Sequence, residues 1–383
     1  MRVLITGSDG FIGKNLSLRL SELPAFEVLG FSRQDAPESL AKKLNGVDAV
    51  IHLAGVNRPV QEAEFATGNA TLTQTLCGLV AAMPRKPLLV LASSTQAMQD
   101  TAYGRSKLAA EEAVRQLQAQ HGVRVHIYRL PGVFGKWCKP NYNSVVATFC
   151  HNIANDLPIQ ISDTARQLDL VYVDDVVAAL IDLISAAGGI IARQIEQQVQ
   201  PQYSITLGEL ATQIEAFKHC RDLSTVSTAL VSERVGTGLV RALYATYVSY
   251  LPTAKFAYPL TQHGDERGVF VEMLKTKDSG QFSFFTAHPG ITRGGHYHHS
   301  KTEKFLVIKG KARFGFRHML TNETFEITTS GDVSQVVETV PGWTHDITNI
   351  GMDEMIVMLW ANENFDRQKP DTLAMPVQMK ATL

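Results

Sequence analysis

The chain has 383 residues, 45% hydrophobic and 19% charged, with a formal net charge of -1. That length allows two domains, each with its own core, and the balanced charge excludes a broad electrostatic pull toward nucleic acid or membrane. The apolar run from Val176 to Ala192 is interrupted by Asp182 and Gly188-Gly189, which argues against a spanning helix.

Met1 to Gly7 lacks the longer apolar core of a signal peptide and reads as a first strand. Up to about residue 180, short apolar runs alternate with amphipathic segments, the pattern of a parallel sheet covered by helices. Strands are expected at Val3–Thr6, Val28–Phe31, Ala49–Leu53, Leu88–Ala92 and Val125–Arg129. Helices are expected at Ile12–Ser21, Asn69–Met83, Tyr103–Gln120, Leu207–Ala216 and Val235–Tyr250. Pro252 and Pro259 mark a junction, beyond which glycine turns separate β-rich segments. The reading is therefore α/β over 1–255 and all-β over 256–383, with Phe305–Lys309 and Lys311–Phe316 expected to pair as a hairpin about Gly310. Cys77, Cys138, Cys150 and Cys220 show no CxxC spacing, so reduced cytoplasmic thiols are expected.

Gly7-Ser8-Asp9-Gly10-Phe11-Ile12-Gly13 follows a strand and opens a helix. Such glycines allow a tight turn and bring a pyrophosphate close to the helix N-terminus. The second strand ends in Ser32-Arg33, where a guanidinium can clamp a 2′-phosphate, pointing to NADP rather than NAD. An ordinary loop cation is the plainer reading of Arg33 taken alone. Tyr103 and Lys107 share a helix face at i,i+4, where an ammonium would lower the phenol's pKa for acid–base work. Ser93-Ser94-Thr95 ends a buried strand at the edge where open α/β sheets place their sites.

Together with His52-Leu53-Ala54-Gly55 and Tyr172-Val173-Asp174-Asp175-Val176, these residues resemble the extended short-chain dehydrogenase/reductase family, in its nucleotide-sugar branch. The resemblance implies a Rossmann-type domain that binds cofactor at residues 7–13, Ser32, Arg33, Leu53, Ala54 and Gly55. It makes Tyr103 the proton donor or acceptor, Lys107 the ribose ligand that tunes it, and Ser94 the residue that orients the substrate oxygen. Ser93 or Thr95 would replace Ser94 under another strand register. Family dehydratases carry Asp-Glu where this chain has Thr95-Gln96, and family 4-epimerases retain NAD, so a net NADPH reductase is expected. Gly132 replaces the family's usual sugar-contacting Asn; Asn143, Ser144 and Arg166 are weaker substrate candidates.

Near the C-terminus, His296-Tyr297-His298 precedes Glu303 and Gly310, while Pro341-Gly342 precedes His345. If the first triplet is a strand, alternation aims His296 and His298 at one face. Three imidazoles and a carboxylate suit one divalent metal; zinc is the first expectation, with manganese, iron and nickel open. These half-motifs resemble the cupin superfamily, which implies a double-stranded β-helix and the ligand set His296, His298, Glu303 and His345. Asp265 to Glu272 and Thr292 to Tyr297 further resemble deoxysugar epimerases that act beside a 4-keto group; Tyr297, Lys304, Asp265 and His288 are the candidate bases.

A reductase joined to such a cupin resembles the bifunctional enzymes of UDP-N-acetyl-L-fucosamine synthesis, which supply capsule and O-antigen assembly. By that resemblance the cupin inverts C3 of a UDP-2-acetamido-2,6-dideoxy-4-hexulose, NADPH reduces C4, and the chain forms a homodimer. The competing readings are a reductase whose cupin only dimerises the chain, and a nicotinamide-dependent sensor.

Overall fold

The computed structural model describes residues 1–186, 195–221, 231–259, 263–265, 268–270, 275–276, 281–363 and 370–378, with backbone alone at 231, 263–265, 268–270, 275–276 and 281–283. Packing divides the chain into two compact units. Met1–Phe134, Asn141–Ser144 and Leu168–Ile205 form one; Gly135–Pro140, Val145–Gln167 and Thr206–Leu383 form the other.

The first unit is built on β1 (Arg2–Thr6), β2 (Glu27–Phe31), β3 (Ala49–His52), β4 (Leu88–Ser94) and β5 (Val125–Leu130). They lie parallel in the order β2-β1-β3-β4-β5, extended by the short strand Glu196–Gln197. Continuous apolar runs make these strands, because both faces of the sheet are buried. Leu4, Val50, Leu89, Leu91 and Ile127 join Leu76, Val80, Val114 and Leu117 in one core. The alternate residues Val3, Ile5, Ile51 and Val90 are equally buried, as period two requires. The sheet's winding reverses between β1 and β3, opening a crevice at their C-terminal ends. A helix at Ala102–His121 carries Tyr103 and Lys107 and stops at Gly122, whose φ of 64° is the left-handed C-terminal cap glycine allows.

The second unit contains the mutually packed helices Val145–Ala154, Leu207–His219 and Gly238–Val248, with two antiparallel five-stranded sheets. One sheet runs Ala257–Pro259, Gln335–Glu338, Glu303–Lys309, Met355–Ala361, Gln281–Ala287. The other runs Thr324–Ser330, Lys311–His318, Trp343–Asn349, Thr292–Tyr297, Leu373–Ala374. Rings from both sheets meet between them, Phe305 lying 5.7 Å from Phe314. This is the cupin's double-stranded β-helix. Where the helices meet the first sheet, the buried Glu338 carboxylate pairs with Arg221 and accepts from Tyr244, and Lys304 lies 3.4 Å away.

One expectation fails. Glu303–Lys309 and Lys311–His318 are not a hairpin; they belong to different sheets, and Gly310 turns the chain from one to the other. A single linking residue with φ of 87° makes a corner rather than a two-residue turn. Parts of the epimerase-like segment, Glu266, Arg267, Val271 and Glu272, lie outside the described residues. Among the described residues no helix is long and apolar enough to cross a membrane, and the four cysteines are buried and form no disulfide.

The corner is testable. A Cβ at Gly310 would stand 2.9 Å from the Met355 Cα and adopt a conformation L residues disfavour. Gly310→Ala is expected to cost about 1–3 kcal/mol in urea unfolding followed by tryptophan fluorescence. Gly122→Ala, with open space at its Cβ position, is expected to cost less.

Candidate active sites

The cofactor cradle begins at the end of β1. Gly7 has a φ of 71°, and its amide donates to the Phe31 carbonyl at 2.7 Å, tying the turn to β2. A Cβ on Gly7 would lie 2.8 Å from the Ala54 nitrogen, and one on Gly13 only 2.2 Å from the Gly7 carbonyl oxygen. The glycine spacing thus lets the helix Phe11–Ser21 sit against the turn, with Gly10 at its N-terminus and no side-chain cap over the amides. Ser8, Asp9, Phe11 and Ile12 lie on this turn and the first turn of the helix. Leu53, Ala54 and Gly55 continue from β3; Leu53 donates to the Thr6 carbonyl and Ala54 to the Thr6 hydroxyl. His52 beneath them is hydrogen-bonded at both ring nitrogens, to Thr6 at 2.6 Å and Thr73 at 2.9 Å. Burial, then the charge of Lys107, push its pKa down to about 3, so it is neutral. Arg33 is exposed at the end of β2 beside Ser32, whose amide donates to Asp35 at 2.8 Å. These residues fit a phosphate-bearing dinucleotide: tight turns, uncapped amides and an exposed guanidinium.

At the C-terminal end of β4 the structure separates the three hydroxyls that sequence left open. The Ser94 hydroxyl lies near the Tyr103 phenol and acts to lower its pKa. Ser93 turns the other way and donates to Glu111 at 2.6 Å, while Thr95 is exposed in the next turn. Lys107 is buried and donates to the Ala92 carbonyl at 2.8 Å. Burial pulls its pKa down to about 8, against the pull of Glu111 upward.

The expected lowering of the Tyr103 pKa is not found. Burial raises it, with Ser94 opposing, because desolvation of the phenolate outweighs its polar neighbours here. Asn143 and Arg166 are exposed loop residues, Ser144 a half-buried one. Sequence reading missed Asn69, whose buried amide clamps Val56 through both its N–H and its carbonyl and also reaches Ser106. It missed Glu111 too, although that residue stands one helical turn beyond Lys107.

In the β domain, Gly294 and Gly295 both have positive φ, and a bulge there places His296 directly opposite His345. Their ring centroids are 4.6 Å apart. His298 follows just beyond the strand, and Glu303 opens the facing sheet. Donor atoms of His296, His298, Glu303 and His345 all lie within 4.8 Å of one another. The Glu303 carboxylate is 3.2 Å from His298 Nε2 and 3.6 Å from His345 Nε2; its other oxygen meets Lys301 Nζ at 2.7 Å. His298 Nδ1 donates to the Asp371 carbonyl, which leaves Nε2 to face the Glu303 carboxylate. Both ring nitrogens of the buried His345 lack a hydrogen-bond partner among the described residues. Burial, then His345 and His298, pull the His296 pKa down to about 3, so this imidazole too is neutral.

The unsatisfied imidazole of His345, converging with His296 and His298 on one carboxylate, fits a divalent cation. The loop between them is held by Asp371, which accepts from the amides of His299, Ser300 and Lys301, each at 2.8 Å. Sequence reading missed Asp371 and Lys301. Among the candidate bases, Tyr297 alternates away from its flanking ligands, and Lys304 points to Tyr258 at 3.0 Å. His288 is exposed, and the Asp265 side chain lies outside the described residues.

Residues 3–195 match the NAD dependent epimerase/dehydratase family, and residues 263–373 match the polysaccharide biosynthesis C-terminal domain. The UDP-2-acetamido-2,6-beta-L-arabino-hexul-4-ose reductase of Pseudomonas aeruginosa is 54% identical over 377 residues, 98% of this chain and 99% of that protein. The capsular polysaccharide assembling protein CapF from Staphylococcus aureus is 40% identical, with 98% of this chain and 100% of that one covered, at a TM-score of 0.66. A UDP-glucuronic acid 4-epimerase from Bacillus cereus shares the fold of the N-terminal part at 18% identity, covering 65% of this chain and 98% of that one with a TM-score of 0.54. The chain therefore belongs to the NAD dependent epimerase/dehydratase family, carrying beyond it a polysaccharide biosynthesis C-terminal domain.

Proposed function

We propose that this chain reduces the C4 ketone of a UDP-2-acetamido-2,6-dideoxy-4-hexulose with NADPH, after its own cupin has inverted C3, in the synthesis of UDP-N-acetyl-L-fucosamine. The reductase chemistry belongs to residues 1–255 and the epimerase chemistry to 256–383. The observation that carries the reading is the Tyr103 phenol near Ser94 and one turn from a buried Lys107, at the C-terminal edge of a parallel sheet. The activity named for the Pseudomonas relative supports the substrate class. The exposed Arg33 supports NADPH over NADH.

NADPH, when bound, supplies the hydride for C4. Tyr103 then gives its proton to the new C4 alkoxide. Its raised pKa suits that task, since the phenol stays protonated across the neutral range. Ser94 orients the same oxygen. Lys107, where protonated, binds the nicotinamide ribose and favours charge separation at the phenol. In the cupin, His296, His298, Glu303 and His345 would hold a divalent metal, zinc first, which when bound supplies Lewis acidity to a ketone oxygen. The C4 ketone acidifies the C3 proton, so inversion there precedes reduction; once C4 is an alcohol, the acidity is gone. Two copies of the chain are proposed to assemble as a homodimer.

Proton NMR of the 4-keto sugar nucleotide in D2O is expected to show deuterium entering at C3 without NADPH, and C4 reduction only after NADPH is added. Reduction with no exchange at C3 would sink the epimerase half. His345→Ala is expected to abolish exchange yet leave reduction of the already inverted ketose within about threefold, whereas Tyr103→Phe should cut reduction by about 10²–10⁴ and spare exchange.

The pH profile has a definite sign. Lys107 is charged below its depressed pKa of about 8 and loses its proton above it. Reduction should therefore be flat through neutrality and fall above about pH 8, by about tenfold per pH unit. A profile flat to pH 10 would remove the ammonium from the mechanism.

A further inference from the structure

Glu111 is a fully buried carboxylate on the helix Ala102–His121, one turn after Lys107 and two after Tyr103. Its oxygens are fully used. One accepts from the Ser93 hydroxyl at 2.6 Å and Arg129 Nε at 2.9 Å; the other accepts from Arg129 Nη2 at 2.7 Å and Arg115 Nη2 at 2.9 Å. Ser93 immediately precedes Ser94, and Arg129 lies beside it on β5. The carboxylate thus joins three pieces of backbone: the helix bearing Tyr103 and Lys107, the strand bearing Ser94, and the next strand.

A buried ion pair is weak evidence for stability, since a well-packed apolar pair is often as good. Its geometry here does something an apolar pair cannot. It fixes the height of β4 against the helix by directional bonds to the residue beside Ser94, and it places one negative charge on the face of the helix that carries the ammonium.

We propose that Glu111 is a positioning residue for reduction, locking the strand of Ser94 to the helix of Tyr103 and presenting the negative charge that Lys107 faces from within the protein. The proposal rests on the reductase reading of Ser94, Tyr103 and Lys107. The charged and titratable groups around the ammonium are Tyr103 and Glu111 on its own helix and the neutral His52 at the end of β3. Arg129 on β5, Arg115 on the helix and Glu196 on the edge strand act through Glu111. Of these, Glu111 raises the Lys107 pKa against the effect of burial. Burial would raise the pKa of Glu111 itself, yet the bonds from Arg129, Ser93 and Arg115 hold it below the usual carboxylate value, so it stays charged throughout the working range.

The test is NADPH-dependent reduction of the UDP-4-keto-6-deoxy-N-acetylhexosamine from pH 6 to 10. Glu111→Gln removes the charge at constant shape. It is expected to lower kcat about tenfold, keep KM within about twofold, and move the alkaline limb about one unit toward lower pH. Glu111→Asp keeps the charge, and its limb should return to the wild-type position even if its rate does not. Ser93→Ala cuts only the link to β4, so kcat should fall about threefold with the limb unmoved. A loss of rate in Glu111→Gln with no movement of the limb would make the carboxylate merely structural and overturn the proposal. Should that variant not fold, Arg115→Gln at the helix surface leaves Glu111 less neutralised and is expected to move the limb upward; an unmoved limb there overturns the proposal as well. A wild-type protein that reduces no 4-keto sugar would sink the reductase reading instead, which separates the two failures.

Discussion

Taking a carboxylate out of water costs several kcal/mol unless donors replace the solvent that is lost. Three carboxylates among the described residues show how this protein meets that constraint. Glu111 collects one hydroxyl and two guanidinium groups, Glu338 collects Arg221 and Tyr244, and Asp371 collects three consecutive backbone amides. In each case donors come from segments well apart in sequence, Arg115 on the helix of Glu111 excepted, so the charge is fully satisfied only when the tertiary arrangement is right. The buried acids therefore act as registration marks. Glu111 sets a helix against a sheet, Glu338 sets helices against a β-sandwich, and Asp371 sets the loop that separates two metal-type ligands from a third.

The two sites solve opposite electrostatic problems. Around Lys107 the fold keeps a cation in a dry place and offsets its desolvation with a nearby carboxylate. Around a carboxylate it gathers three imidazoles, one of which, His345, has both ring nitrogens unsatisfied among the described residues. The first arrangement favours holding a proton in place near a reacting oxygen. The second favours a small cation. Both depend on glycines: Gly7 and Gly13 allow the close approach at the nucleotide turn, and Gly294 with Gly295 forms the bulge that brings His296 opposite His345.

Much of this was legible in the chain itself. The strands of the parallel sheet announce themselves because burial on both faces leaves no room for polar residues, and their boundaries fall within a residue or two of those read from sequence. The structure also draws together His296, His298, Glu303 and His345, the four side chains that the two half-motifs singled out. What failed did so for physical reasons. Gly310 between two apolar runs signals a reversal, but a local signal cannot say whether the next strand returns to the same sheet or crosses to another. The raised pKa of Tyr103 depends on how deeply the helix is buried, which i,i+4 spacing does not encode. Asp371 carries no local pattern that would tie it to residues 299–301.

That separation has a consequence for the order in which the molecule is made. Asp371 lies seventy residues downstream of Lys301, whose amide it accepts, and its carbonyl fixes which nitrogen His298 leaves open. On a ribosome, all four donor residues emerge and can begin pairing before the segment that closes their loop exists. A nascent chain halted short of residue 371 would carry the same four side chains with the His298 tautomer unfixed and the loop untethered. The geometry of the four-residue cluster would thus distinguish a chain that includes residue 371 from one interrupted before it.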